Sequence, residues 1–465
     1  MAALERRTRR KIFYVMVLLF AGIVPLTLLY SRGYIVDVRR RGLVATGGIF
    51  VKTVQPGTKV YIDSEFSKET AFISHGALIT NLFPRRYTVR VEKDGYRAWQ
   101  KVVRVSNEEV LEFRDIFLPP ATITPSVVFN LRRQLPTRLD VIAGRPEVAV
   151  ALGDPTQPYT VFAVNPVTHR APVNLVKVSR WFWDEGTRAY FIGRRDDEGR
   201  TRWYRLSLSG GTPGKEELIS FRGLPPGFSA DSVFPHPGAP RELYFFAGGA
   251  LFLQGRSSVP LPIAEQVHAY TITSDRIYFI TKNGFFVESN LNGGEVKILG
   301  RKGLFLADDL PATLIPLPRG TIAVIDSAGG LFVYRPERDT ELTFVSGNVI
   351  GLDANGRGDR MLFWEANRLW VYWLTDNVRQ PFDLAGSKRQ IFYSDAPIQQ
   401  AFLNTTGSHL FFSTSDRIQM VEVDDRAGVN AYDLVNGSIG SFAFDRNTRT
   451  LYWVEGQGLL RASVE

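Results

Sequence analysis

The chain opens with one long stretch of uncharged, mostly apolar residues, which runs from Ile12 to Ser31. A helix over these 20 positions rises about 30 Å at 1.5 Å per residue, which matches the hydrocarbon thickness of a bilayer. Tyr14 and Tyr30 lie near its two ends, where aromatic rings favour the headgroup level. The pattern predicts a transmembrane helix over residues 12–31.

A cleaved signal peptide is the alternative interpretation of this stretch. Its apolar region would span about 7–15 residues and end at a small-residue cleavage site. Here the stretch is longer and ends in Leu28-Leu29-Tyr30-Ser31-Arg32, without such a site. The sequence therefore favours an uncleaved anchor.

The basic residues around the helix indicate its orientation. Five precede the helix and four follow it, and the cytoplasmic side of a membrane helix carries the excess. These residues are Arg6, Arg7, Arg9, Arg10 and Lys11, then Arg32, Arg39, Arg40 and Arg41. We expect residues 1–11 to form a short cytoplasmic stub and the bulk of the chain to be extracytoplasmic.

The same residues explain the net charge of +9, which at first suggests an anionic partner such as nucleic acid. Residues 1–41 hold nine Lys/Arg and two Asp/Glu, a net of +7, and residues 42–120 hold 11 and nine, a net of +2. Residues 121–465 hold 36 of each and are neutral. The charge therefore marks the membrane flank, and we expect no nucleic-acid partner.

After the helix, residues 44–118 alternate short strand-like runs with turns. Tyr87, Val89 and Val91 are apolar while the positions between them are polar, the period-2 pattern of a half-buried strand. Asp94-Gly95 then supplies a tight turn before the next strand. The pattern predicts a small β-sandwich of six or seven strands.

This stretch resembles the PEGA domain family. The matching segments are GIFV at 48–51, PGTKVYID at 56–63, LFPRRYTVRV at 82–91 and DGYRAW at 94–99. The chain has Ser64 and Arg85 where the family often has glycine. The resemblance implies a non-catalytic sandwich of bacterial or archaeal surface proteins, often next to a membrane segment, with a spacer or adhesion role.

From residue 121 to the end, one phrase of strand, turn and strand repeats eight times. Its central strands are rich in aromatic and branched residues, and corresponding positions lie 41, 54, 34, 45, 39, 49 and 41 residues apart. The markers are Val150, Phe191, Phe245, Phe279, Val324, Phe363, Phe412 and Trp453. A mean interval near 43 residues is the size of one four-stranded propeller blade. The spacing favours eight blades, and seven remains possible because the intervals around Phe245 are irregular.

The ends of the repeat region indicate how the propeller closes. The last phrase has three strands before the chain stops, and residues 126–131 form an unassigned strand-like run upstream of the first phrase. We expect this run to supply the missing outer strand, because closure covers an open edge. The region resembles WD-like and other periplasmic-type bacterial propellers, a resemblance that implies architecture rather than function.

No sequence motif assigns a catalytic, cofactor or metal site. The five histidines show no metal-ligand spacing, and Cys is absent, which excludes thiolate sites and cysteine nucleophiles. Asp353 to Asp359 looks like a calcium loop but departs from the EF-hand spacing, so a bare turn is favoured.

Several other polar and aromatic residues are expected to have structural roles. We expect Asp196 and Asp424 to be solvated loop charges, and Trp181, Trp183, Trp370 and Trp373 to pack between blades. Ligand-binding residues stay unassigned.

The sequence therefore predicts an all-β protein with one membrane helix (12–31), a PEGA-like sandwich (44–118) and a propeller (121–465). We expect no enzyme activity and no cofactor, with the propeller binding a protein or an envelope glycan. One alternative is a glycan hydrolase or lyase whose site lies at the propeller's central channel. Another is a subunit of an envelope complex.

Overall fold

The computed structural model describes most of the chain. The described ranges are 6–31, 33–37, 42–131, 136–142, 145–153, 159–209, 212–224, 228–255, 259–300, 304–307 and 312–465. The first five residues of the expected stub and Arg32, Arg39, Arg40 and Arg41 lie outside these ranges.

Helix α1 covers Arg6–Ser31 and contains Pro25. Within the described ranges it is the one helix long and apolar enough to cross a membrane, over Arg10–Leu29 with a mean hydropathy of 2.5. None of that window is buried against protein. Its length and composition fit a membrane span, and a signal sequence near the N-terminus has the same properties.

The contacts within the chain divide it into two compact units. The N-terminal part of the first unit contains nine strands. These strands are β1 (Tyr34–Asp37), β2 (Gly42–Ala45), β3 (Gly47–Thr53), β4 (Lys59–Ile62), β5 (Glu65–Glu69), β6 (Gly76–Leu82), β7 (Arg86–Glu92), β8 (Trp99–Arg104) and β9 (Val110–Ile116). Strands β1 and β2 form a hairpin, β6-β3-β9 one sheet and β5-β4-β7-β8 another. The alternation predicted at Tyr87, Val89 and Val91 is observed, since all three side chains are buried.

The turn between β4 and β5 shows how the chain replaces a glycine that is common in the PEGA family. Asp63 and Ser64 both adopt the left-handed conformation, with φ of 50° and 71°. Arg85, the second departure, forms an ion pair with Asp63 at 2.7 Å. Arg85 therefore contacts the turn in which Ser64 lies.

The first unit also contains residues 378–382 and 424–430. Arg426 donates to the Glu112 carbonyl at 2.6 Å, and Lys101 donates to the Asp424 carbonyl at 2.5 Å. Lys101 is only 2% exposed, and a buried ammonium group needs such acceptors. The Asp424 side chain is 17% exposed and its carboxylate pairs with Arg426 at 2.6 Å, so the expectation that Asp424 is a solvated loop charge is wrong.

The second unit consists of 32 strands, which the described residues arrange as eight four-stranded antiparallel sheets. The outer strand of the last sheet is β10 (Ser126–Asn130). Blade 1 comprises β11 (Pro136–Val141), β12 (Val148–Leu152), β13 (Tyr159–Asn165) and β14 (Arg170–Val178). Blade 2 comprises β15 (Arg180–Asp184), β16 (Ala189–Arg195), β17 (Thr201–Ser209) and β18 (Thr212–Leu218). Blade 3 comprises β19 (Ser232–His236), β20 (Ala239–Ala247), β21 (Ala250–Gln254) and β22 (Leu261–Ala264).

The remaining blades follow the same plan. Blade 4 comprises β23 (Val267–Ile272), β24 (Arg276–Thr281), β25 (Phe286–Asn290) and β26 (Lys297–Gly300). Blade 5 comprises β27 (Thr313–Pro316), a 3₁₀ turn (Pro318–Gly320), β28 (Ile322–Ile325), β29 (Leu331–Tyr334) and β30 (Thr343–Ser346). Blade 6 comprises β31 (Gly351–Ala354), β32 (Arg360–Trp364), β33 (Arg368–Trp373) and β34 (Lys388–Tyr393). Blade 7 comprises β35 (Gln400–Leu403), β36 (His409–Ser413), β37 (Arg417–Glu422) and β38 (Ala431–Asn436), and blade 8 adds β39 (Phe442–Asp445), β40 (Thr450–Glu455) and β41 (Gly458–Ser463) to β10.

The first strand of each blade lies nearest the propeller axis. Contacts join β23 to β27, β31 to β35, β35 to β39 and β39 to β11, so first strands neighbour one another around the ring. The sheet order β39-β40-β41-β10 places β10 on the outside of blade 8. The all-β class and the propeller are therefore confirmed, and the described residues form eight blades rather than seven.

Candidate functional site

One cavity of the second unit lies where four inner strands end. Its lining includes Asp184, His236, Ile272 and Pro316, which are the last residues of β15, β19, β23 and β27. Phe182 of β15 lies 6.1 Å from Phe234 of β19, Ser232 of β19 is hydrogen-bonded to Tyr270 of β23 at 2.7 Å, and β23 contacts β27. The carboxyl ends of these strands therefore meet at one face of blades 2 to 5. The cavity has a volume of about 870 Å³, within the range of ligand sites in proteins. We call it the mouth cavity.

Prolines make the walls of the mouth cavity rigid. Each proline fixes its own φ and offers no N–H group, so a wall built from prolines keeps its shape. They are Pro235, Pro237, Pro240, Pro316 and Pro336. His236 is fixed as well, since its ring stacks on Tyr244 at 5.4 Å and its Nδ1 accepts the Gly238 N–H at 3.1 Å.

The lining carries more negative than positive charge. Four carboxylates, Asp184, Asp275, Glu288 and Glu337, face two guanidinium groups, Arg276 and Arg319, a formal net of −2. Arg276 is committed to acidic neighbours, with Nη1 2.9 Å from Glu295 and Nε 3.6 Å from Glu288. The cavity therefore favours a cationic ligand.

Two of these carboxylates are held within their own turns. Asp184 accepts the N–H and hydroxyl of Thr187 at 2.7 and 2.6 Å, and Asp275 accepts the Thr273 hydroxyl at 3.2 Å. Glu288 is held between blades, since Tyr334 donates its hydroxyl to Glu288 at 3.5 Å and Arg276 lies 3.6 Å away.

Buried phenols next to Glu288 remain protonated. Burial, followed by the charge of Glu288, raises the pKa of Tyr334 to about 12 and moves the pKa of Tyr278 upward as well. Both groups are therefore hydrogen-bond donors at neutral pH. Across the described ranges, no group of three or more His, Asp or Glu side chains is arranged to hold a metal ion. The chemistry on offer is charge and hydrogen bonding, which suits binding.

The acidic turn at Asp353 is occupied by protein groups. Asp353 forms an ion pair with Arg446 and accepts the Leu403 N–H at 2.8 Å, while Asn355 accepts the N–H groups of Asp359 and Arg360. The Asp353 carboxylate is therefore held by groups of blades 7 and 8, while Asn355 is bonded within the turn.

Three of the four tryptophans singled out from the sequence lie against another ring, and the fourth, Trp373, is buried. Trp370 stacks on Phe363 at 6.1 Å, Trp373 is buried, and Trp181 and Trp183 lie 6.2 and 4.9 Å from the Tyr190 ring. Trp181 and Trp183 also line a second cavity, which their sequence context did not indicate.

The residues of the mouth cavity were not found from the sequence because they come from turns spread over residues 184–337. A local signal does exist. Proline-x-proline occurs at the carboxyl ends of two inner strands, as Pro235-His236-Pro237 and as Pro316-Leu317-Pro318. The same spacing at Pro260-Leu261-Pro262 begins an outer strand, so the pattern marks the wall only where it coincides with the end of an inner strand.

Comparison with known proteins identifies the first module. Residues 46–117 match the PEGA domain, so the chain contains a PEGA domain followed by a β-propeller. No curated protein matches the sequence.

Solved structures resemble the chain at low identity. One is Sqt1 from Saccharomyces cerevisiae, with 9% identity, coverage of 74% of this chain and 98% of that chain, and a TM-score of 0.44. Another is the β-propeller domain of Cps50 (Swd1) from Myceliophteria thermophila, with 11% identity, coverage of 74% and 100%, and a TM-score of 0.44. Neither likeness carries functional information.

Proposed function

We propose that the protein is a non-catalytic, membrane-anchored binding protein whose PEGA domain and propeller lie outside the cell membrane. Three observations support the anchor: the 20-residue apolar window of α1, its exposure to the surroundings, and the concentration of basic charge beside it. The Thr46 N–H bonds to the Gly33 carbonyl at 2.8 Å, so the PEGA domain begins directly after the helix. Such a domain would stand at the membrane surface.

The mouth cavity is the proposed binding site, and its partner is a protein segment rich in Lys or Arg. The observation that carries this proposal is the formal charge of −2 in a cavity with rigid proline walls. Acidic side chains at the rim attract a basic partner before contact, and rigid walls reduce the entropy lost on binding. A glycan is a poorer fit here, because sugars bind best against broad aromatic faces.

The anchor is tested by protease treatment of intact cells that carry an epitope at each end of the chain. We expect loss of the C-terminal epitope and retention of a short membrane-embedded N-terminal fragment. A cytoplasmic marker must stay intact and a known surface protein must be digested. Protection of residues 42–465 under those conditions, or absence of the N-terminal epitope from the mature protein, would contradict the proposal.

The partner is tested with the full chain in lipid nanodiscs and three labelled peptides of equal length that are basic, neutral and acidic. We expect fluorescence anisotropy to show binding of the basic peptide alone, weakening as salt is added. The double variant Asp275→Lys, Glu337→Lys should abolish this binding. Asp197→Lys, which reverses an exposed charge in another loop, should leave it intact. If both variants bind the basic peptide equally well, the mouth cavity is not the binding site.

A further inference from the structure

A second cavity lies along the inner strands of blades 1 to 3. Its lining runs from Arg138 to Ile142 along β11 and from Ser179 to Trp183 along β15, and it includes Ser232 and Val233 at the start of β19. It shares no lining residue with the mouth cavity. We call the second one the aromatic cavity, and its volume is about 520 Å³.

Tryptophan is concentrated in this cavity. Trp181, Trp183 and Trp203 line it, three of the eight tryptophans in the chain, together with Tyr159. Trp181, Trp183 and Tyr159 are half-buried, so part of each ring is covered and part remains accessible. Flat aromatic faces of this kind stack against the apolar faces of sugar rings.

The rings are held in place from behind. Trp183 lies 4.9 Å from the Tyr190 ring, and the Arg145 guanidinium lies 4.8 Å from the centre of the Trp183 ring. Arg145 is itself paired with Glu147 at 2.8 Å, and Glu147 is buried. Side chains that are already fixed before the ligand binds lose less conformational entropy on binding.

Charged groups surround the rings at the rim. Arg138 and Asp140 form an exposed ion pair at 2.7 Å, and Arg180 donates from Nη1 to the Asp231 carbonyl at 2.8 Å. Two guanidinium groups and one carboxylate give the lining a formal charge of +1, the reverse of the mouth cavity. Guanidinium and carboxylate side chains form paired hydrogen bonds with vicinal hydroxyls, and guanidinium groups bind carboxylates bidentately.

We infer that the aromatic cavity binds an acidic saccharide, a sugar chain that carries a carboxylate. In this arrangement the sugar ring stacks on Trp181, the Arg138–Asp140 pair meets its hydroxyls, and Arg180 binds its carboxylate. Rings alone would suit any apolar ligand, and a net positive rim alone would suit any anion. Their combination in one cavity selects a ligand that is both a sugar and an acid. The inference does not depend on the partner proposed for the mouth cavity.

The test uses the full chain in lipid nanodiscs and isothermal titration with three probes: trigalacturonate, the neutral trisaccharide maltotriose, and benzoate. We expect trigalacturonate to bind and the other two to bind at least about tenfold more weakly, since each lacks either the carboxylate or the sugar. Arg180→Met should weaken trigalacturonate binding about tenfold through loss of a charged hydrogen bond. Trp181→Ala should weaken it further.

The matched control is Arg188→Met, an exposed arginine in the turn at the other end of the β15–β16 hairpin. It should leave trigalacturonate affinity unchanged. Because Arg180 is exposed at the rim, its variant tests the site even if Trp181→Ala fails to fold. Absence of trigalacturonate binding by the unmodified chain, equal binding of maltotriose or benzoate, or unchanged affinity in Arg180→Met would each overturn the inference.

Discussion

At the scale of single residues, Gly351 is required by the tryptophan that pairs with it across β31 and β32. A Cβ atom at this glycine would lie 2.2 Å from Cζ2 of Trp364, a ring that is only 8% exposed. We expect Gly351→Ala to destabilise the propeller by about 1–3 kcal/mol, the usual effect of overpacking a well-filled core. The midpoint of thermal unfolding should fall accordingly.

Gly347 provides the control, because nothing lies within 4 Å of a Cβ atom added there. Gly347→Ala should leave the midpoint unchanged or raise it slightly, since alanine restricts the unfolded chain. Equal midpoints for Gly351→Ala and Gly347→Ala would mean that the Trp364 ring moves aside at little cost.

Asp196 is not a solvated loop charge, and its contacts predict a pH dependence. Burial opposes its ionisation, but hydrogen bonds from the Arg200 N–H and from the Arg202 and Arg200 side chains outweigh burial and lower its pKa from 3.8 to about 2. A carboxyl group whose pKa is lowered by folding stabilises the folded state at pH values above its pKa in the unfolded chain. That contribution is present above pH 3.8 and is lost as the pH falls toward 2.

Asp196→Asn should therefore unfold at a lower temperature than the unmodified chain at neutral pH, and the difference should disappear as the pH approaches 2. Thermal unfolding followed by circular dichroism at a series of pH values measures this. Asp197→Asn, at an exposed neighbour, should show no such pH-dependent difference. A difference that persists at low pH would show that the carboxylate charge is not its source.

At the scale of elements, the segment 424–430 completes the first unit. Arg426 bonds to the Glu112 carbonyl, to Gln380 Oε1 at 2.9 Å and to Asp424, and it lies 4.6 Å from the Phe113 ring. Removal of its side chain leaves several acceptors without a donor, at about 1–3 kcal/mol for each buried group. We expect Arg426→Ala to lower the hydrogen-exchange protection of β8 and β9.

Arg357 is the control for this substitution, because its side chain is exposed in a turn of blade 6. Arg357→Ala should leave the protection of β8 and β9 unchanged. If Arg426→Ala also leaves it unchanged, the segment 424–430 contributes no stability to the first unit.

How much of each element was predictable depends on how far apart its contacts are in the sequence. Val89 and Val91 are buried and Arg90 is exposed, as the alternation along β7 predicts from neighbouring residues alone. Lys101 instead donates a hydrogen bond to the carbonyl of Asp424, 323 residues later in the chain. A local sequence pattern cannot predict such a contact. The mouth cavity was missed for the same reason, since its turns come from four blades.

At the scale of the whole molecule, side-chain contacts join the blades at the ends of their inner strands. Asp353 of blade 6 accepts the Leu403 N–H of blade 7 and pairs with Arg446, which follows β39 of blade 8. Arg446 also donates to the Leu403 carbonyl at 2.8 Å. Blades 6 to 8 are thus tied together at the same strand ends that form an open cavity in blades 2 to 5. The asymmetry leaves one sector of this face open, and that sector is the proposed binding site.

The ring also depends on β10, where two adjacent valines provide a matched test. Val128 is 2% exposed and packs in one cluster with Val150 of blade 1 and Leu459 of blade 8, whereas Val127 is 58% exposed. We expect Val128→Asp to release β10, because a carboxylate there is buried without a partner, and to uncover the edge of β41. Size-exclusion chromatography with light scattering should then show self-association, and β41 amides should lose exchange protection.

Val127→Asp adds the same charge at an exposed position, and this variant should remain monodisperse with its β41 amides protected. Identical behaviour of the two variants would mean that the propeller stays closed without β10.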